Sequence, residues 1–176
     1  MTPNPKKPTG FEYPSDHLFK ISTSGVVPLE ELRNPRGMVD ENGEPCLLVL
    51  KRGMGSGLTL GKGSGAMSYT RTYFEGSEPQ VSREWAILPY DLHTIHTSGE
   101  AFSSAGDSGS AVLDGRGRVG GILTGGAARA GADPDRHDIT YATPAAFLLE
   151  AFGKYGVDPD FDVDAFFSET SPSLPA

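Results

Sequence analysis

Between residues 102 and 124 tight glycine turns alternate with short apolar runs, and no other stretch constrains the fold as closely. Gly106-Asp107-Ser108-Gly109-Ser110 leads into Ala111-Val112-Leu113. The turn Asp114-Gly115-Arg116-Gly117 follows, and Val119-Gly120-Gly121-Ile122-Leu123-Thr124 completes a hairpin pattern. A serine between glycines, on a turn that feeds a strand, presents its hydroxyl while neighbouring N–H groups converge on one point. That arrangement suits a nucleophile beside an oxyanion hole. The same residues are also ordinary Gly/Ser/Asp turn chemistry. Both readings stand on these five letters.

The rest of the chain supports a mainly β protein. With 23 glycines and 14 prolines among 176 residues, turns are frequent and the length suits one domain with a sizeable core. Residues 1–16 are rich in proline, lysine and glycine and are expected to be a disordered lead. His17 to Ser22 alternates like a strand, and Pro28 to Arg33 suits a short helix stopped before Pro35. Asp40 to Pro45 is a turn. Strands are then expected over 46–51, 57–62 continuing to about 72, 81–88, 110–114, 117–124 and 138–142. The predicted fold is a single six-stranded antiparallel barrel, which leaves no open sheet edge. Residues 145–155 place Ala146, Phe147, Leu149, Ala151 and Phe152 at helical spacing, so a C-terminal helix should pack on it. The domain therefore spans 17–156, and 157–176 is an acidic tail carrying Phe161, Phe166 and Phe167, read as a docking peptide, a cover for its own domain, or disordered chain.

Charge and cysteine content narrow the function. A net charge of -8 argues against nucleic acid as a partner. No apolar run approaches a membrane span, and the first residues lack a signal peptide's hydrophobic centre, so a cytoplasmic location without membrane contact is expected. The one cysteine, Cys46, begins an apolar strand and reads as a small buried hydrophobe, with no disulfide framework. No cofactor motif stands out. His93 and His96 have a His-x-x-His spacing that invites zinc, but no third ligand is evident, and no metal site is expected.

The order of motifs resembles the C-terminal barrel of the trypsin-like (chymotrypsin-fold) serine peptidases. In that family a Gly-Asp-Ser-Gly loop precedes a hairpin, a substrate-pairing strand and a C-terminal helix. Here Gly106 to Gly109, the hairpin to Thr124, Ile139 to Pro144 and the helix follow in that order. Val49 to Gly61 looks like the opening hairpin, so the match covers about Cys46 to Tyr155. The resemblance implies that Ser108 is the nucleophile and that the N–H groups of Gly106 and Ser108 form the oxyanion hole. It puts Phe102 at the base of the primary specificity pocket, where an aromatic argues against cleavage after Lys or Arg and can fill the pocket. Thr124, Gly125 and Gly126, with Leu123, would form the edge that pairs with substrate. Asp107 would meet a newly released N-terminus in activated members, and no such sequence is identifiable here. The absence of disulfides departs from secreted members and fits an intracellular site or an incomplete gene product.

The triad is incomplete by this reading. In the family, the histidine base and its aspartate belong to an N-terminal barrel, and Ser108 comes too early for a whole barrel to precede it. His17 lacks the small-residue approach to the family's base. His93 and His96 lie just before the serine loop, but a base there would depart from the family's geometry. Asp133, Asp135 and His137 give the Ser-Asp-His order of α/β-hydrolases, yet Ser110 occupies the last position of the Gly-x-Ser-x-Gly elbow and the alternating βα pattern is missing. The Gly-Asp-Ser lipases fail too, since their motif lies near the N-terminus. Two expectations remain: a serine-peptidase-like domain inactive as an isolated chain and completed by a missing N-terminal barrel, or a non-catalytic binding or scaffold domain that takes a peptide segment.

Overall fold

The computed structural model describes residues 2–4, 7–12, 23–36, 38–40, 42–90, 101–127, 136–137 and 139–161, with 2–4, 7–12 and 136–137 placed by their backbone. Within the lead expected to be disordered, β1 (Thr2–Asn4) and β2 (Lys7–Glu12) pair as an antiparallel ladder. The strand expected at His17 to Ser22 lies outside the described residues. Helix α1 (Leu29–Arg33) is one short turn-and-a-bit, with Glu30 and Glu31 at its positive end and Arg33 at its negative end. It starts after Pro28 and ends before Pro35, as proline geometry requires.

Six strands form one antiparallel sheet that closes in a ring: β3 (Cys46–Gly53), β4 (Gly57–Thr72), β5 (Gln80–Pro89), β7 (Ala111–Asp114), β8 (Val119–Ala127) and β10 (Ile139–Pro144). Their order is β10-β5-β4-β3-β7-β8, and β10 pairs back to β8. Two further short strands, β6 (Ser103–Ser104) and β9 (Arg136–His137), pair beside the ring. Helix α2 (Ala145–Gly153) follows β10 directly and packs against β8 and β10. It ends two residues earlier than the apolar spacing suggests. Among the described residues no helix is long and apolar enough to cross a membrane.

Residue parity explains the core. Side chains of a strand alternate between its two faces, and on β3 one row carries Leu47, Val49 and Lys51 while the other carries Cys46, Leu48 and Leu50, all buried. The first row joins Trp85, Ile87, Phe102, Val112 and Leu123 inside the ring. The second is covered from outside, where Cys46 and Leu48 meet Met38 and Tyr90. Burial on both faces gives β3 its unbroken apolar run. Lys51 therefore shares the inner row, and a cation placed there needs an internal anion.

Candidate functional site

The loop from Ala105 to Ser110 crosses the end of the ring between β6 and β7, and Asp107 fixes it. The Asp107 side chain is wholly buried. Its Oδ2 accepts from Lys51 Nζ at 2.7 Å, from Ser56 Oγ at 2.6 Å and from the Ser104 N–H at 3.0 Å. Its Oδ1 accepts from the N–H groups of Gly55 at 2.7 Å and Ser56 at 3.1 Å. Lys51 Nζ also meets Ser56 Oγ and donates to the Gly57 carbonyl at 3.3 Å. Burial opposes ionisation of Asp107, but the hydrogen bonds from Lys51, Ser56 and the Ser104 backbone outweigh it and hold the carboxyl well below the usual range. The pair thus carries one buried cation and one buried anion, mutually neutralised, each side chain fully enclosed.

Backbone geometry then sets the serine. Asp107 N–H donates to Ser104 O and Ser110 N–H donates to Asp107 O, so the carboxylate sits in the middle of two consecutive turns. Gly106 and Gly109 flank it at φ +92° and +89°, a region that L side chains rarely adopt. Gly55 must be glycine for a different reason: a Cβ there would lie 2.2 Å from the Ala105 carbonyl. Ser108 is left at the crest, exposed. Its Oγ lies 3.5 Å from the Thr124 carbonyl, longer than an ordinary O–H···O bond. Among the described residues, the N–H groups of Gly106 and Ser108 meet no acceptor. These are the two donors expected to form an oxyanion hole.

The candidate binding residues follow along β8. Gly109 N–H donates to Leu123 O at 2.8 Å, and Leu123 N–H donates to Ser110 O at 3.0 Å. The serine loop is therefore stitched to β8 immediately before Thr124. β7 pairs with β8 only as far as Ile122, while β10 holds the other edge up to Ala127. Thr124, Gly125 and Gly126 consequently present, among the described residues, a free strand edge next to Ser108. Thr124 is exposed and its Oγ1 donates to Tyr141 O at 3.2 Å.

Phe102, expected at the base of a specificity pocket that its ring can fill, is enclosed in the core. Its ring is wholly buried in the core, its carbonyl accepts from Thr59 Oγ1 at 2.7 Å, and Lys51 Nζ lies 5.8 Å from its centroid. It fills interior space and offers no surface to a ligand. Below it, the Ser103 and Thr140 hydroxyls share a buried hydrogen bond of 2.6 Å.

Lys51 and Ser56 are the site residues that sequence reasoning missed. The signal was there in the lysine that ends the apolar run Leu47 to Leu50, on the same parity as Leu47 and Val49. His17, His93, His96, Asp133 and Asp135 lie outside the described residues, and His137 is placed only by the backbone pairing of β9 with Ser103. No group of three metal-ligating side chains comes together among the described residues. Comparison of the chain with protein-family models, with curated proteins and with solved structures finds no match.

Proposed function

We infer that the chain carries the nucleophile half of a serine-peptidase-like site: Ser108 as nucleophile, the N–H groups of Gly106 and Ser108 as oxyanion donors, and the Thr124 to Gly126 edge as the strand that takes an extended peptide. The carrying observation is the Asp107–Lys51 pair, which holds both donors without internal acceptors and the serine hydroxyl in solvent. The order of loop, hairpin, closing strand and helix agrees with the resemblance to the C-terminal barrel of trypsin-like peptidases. In activated members of that family the loop aspartate meets a released N-terminus. Here the Lys51 ammonium fills that role, so the loop needs no cleavage to take its shape.

The general base comes from outside the described residues, in this reading from a missing N-terminal barrel. A serine hydroxyl without a base is almost fully protonated and a poor nucleophile. Loss of one principal triad member costs about 10⁶ in turnover, so the isolated chain is inactive as a peptidase. Labelling with a serine-directed fluorophosphonate tests this, with Ser108→Ala as the control. No Ser108-dependent labelling is expected from the chain alone, and labelling should appear once a histidine-bearing upstream half is added. Stoichiometric labelling of the isolated chain would place the base within it, at His93 or His96. The buried Phe102 favours a second reading, a binding domain that keeps the loop and the β8 edge without hydrolysis. Peptide binding that persists in Ser108→Ala, with no labelling under any complementation, would select it.

A further inference from the structure

On a chain of net charge -8, the strands and turns described around Ser108 carry no exposed negative charge. Between Ala101 and Leu113 the one acidic residue is Asp107, which is wholly buried and neutralised by Lys51. Residues 52–58, whose Gly55 is seated against the Ala105 carbonyl, hold one charged side chain, the exposed Arg52. β8 holds none. Into this setting the loop puts two N–H groups, of Gly106 and Ser108, that meet no acceptor among the described residues. Backbone donors of that kind, set in a turn with left-handed glycines, favour an anion.

The strand edge beside the loop fixes what kind of anion. β8 runs from Thr124, whose carbonyl lies 3.5 Å from the Ser108 hydroxyl, towards Gly126 and so away from the loop. A peptide that ends at the loop therefore runs antiparallel to β8, the more stable pairing per residue. A peptide that starts there would run parallel, and its ammonium would set donors against donors. A terminal carboxylate instead offers one oxygen to each N–H, in charge-assisted bonds about twice as strong as those to a neutral carbonyl. Three residues of edge, about 10 Å, match the last three residues of a peptide. Nothing lies within 4 Å of the point where a Cβ on Gly125 would stand, so a side chain of the added strand has room there.

We propose that the chain binds the free C-terminus of an extended peptide. The last three residues pair with Thr124 to Gly126, and the terminal carboxylate accepts from the Gly106 and Ser108 N–H groups. Such capture rests on the reading of those donors and that edge given above, but on no bond made or broken, so it needs no base.

Nitrogen-15 NMR of the full chain, titrated with acetyl-Ala-Leu-Ala-Val as the free acid and as its C-terminal amide, tests it. The free acid should move the Gly106 and Ser108 amide resonances together with those of Thr124, Gly125 and Gly126, to saturation. The amide is expected to bind at least about tenfold more weakly, the scale of losing bonds to a charged acceptor. Nuclear Overhauser contacts should join the terminal valine to Thr124 and the leucine to Gly126. The Trp85 indole N–H, bonded to Ser64 O at 2.9 Å, reports that the ring is intact throughout. Equal affinity of acid and amide, with both on the β8 edge, overturns carboxylate capture and leaves the edge as a peptide-pairing strand. Reversed contacts, valine to Gly126 and leucine to Thr124, overturn it as well. If neither peptide moves these five amides up to its solubility limit, capture and the peptide-pairing edge fall together.

Discussion

Lys51 and Asp107 show how one buried charge pair can serve a surface serine. Neither charge touches solvent, so each depends on the other and on the Ser56 and backbone donors around them. Lys51→Met removes the cation while leaving a buried carboxylate, and breaking a buried pair from one side costs about 3–5 kcal/mol. Urea denaturation at neutral pH is expected to show a loss of that size. The sign of the pH dependence follows from the depressed Asp107 carboxyl. Its contribution is complete above the ordinary aspartate value of about 4 and is lost as pH falls below it towards the lowered folded value. Unfolding curves measured down through that window should therefore fall more steeply for the wild type than for Asp107→Asn. Glu31 and Asp40, whose carboxyls are also lowered, contribute equally to both proteins, so the difference isolates Asp107.

At the scale of elements, the β7–β8 turn and α1 are held as one unit by Arg118. Its guanidinium donates to both Glu31 oxygens at 2.8 and 2.7 Å, and to Asp114 Oδ2 at 2.9 and 2.7 Å. Asp114 Oδ1 meanwhile accepts the N–H groups of Arg116 and Arg118, closing the turn. Arg118→Met strips the cation from a nearly buried Asp114 and frees α1, a helix too short to stand alone. A loss of about 1.5–3 kcal/mol is expected by chemical denaturation, the range for hydrogen bonds to charged groups. Elements such as these were legible in the sequence wherever local chemistry decided them. The prolines bracketing α1 and the Asp-Gly turn of β7–β8 act within a few residues. What was not legible is whatever depends on residues far apart. Lys51 and Asp107 are separated by 56 positions. Glu31 and Arg118 are separated by 87, and nothing in either neighbourhood names the other. The burial of Phe102 has the same origin, because the ring of strands that encloses it is assembled only by the last strand.

That last strand makes the molecule one cooperative body. β10 pairs with β5 on one edge and with β8 on the other, so the ring closes only when residues 139–144 arrive. Its inward side chains, Thr140 and Ala142, are wholly buried, and Ala142 stands opposite Trp85, the single tryptophan. Without β10 the facing edges of β5 and β8 would be open, the core around Trp85 would be wet, and unpaired edges would invite pairing between molecules. A domain's net stability is only about 5–15 kcal/mol, less than the burial and two ladders that this strand supplies to it. Truncation after residue 138 is therefore expected to abolish cooperative unfolding: Trp85 fluorescence should already be solvent-like without denaturant, and the chain should self-associate. Truncation after Gly156, which keeps the ring and α2, should retain a single transition, coincident by Trp85 fluorescence and far-ultraviolet circular dichroism. A native-like Trp85 signal and a cooperative transition in the shorter chain would mean that five strands suffice and that closure of the ring is not what holds the serine loop in place.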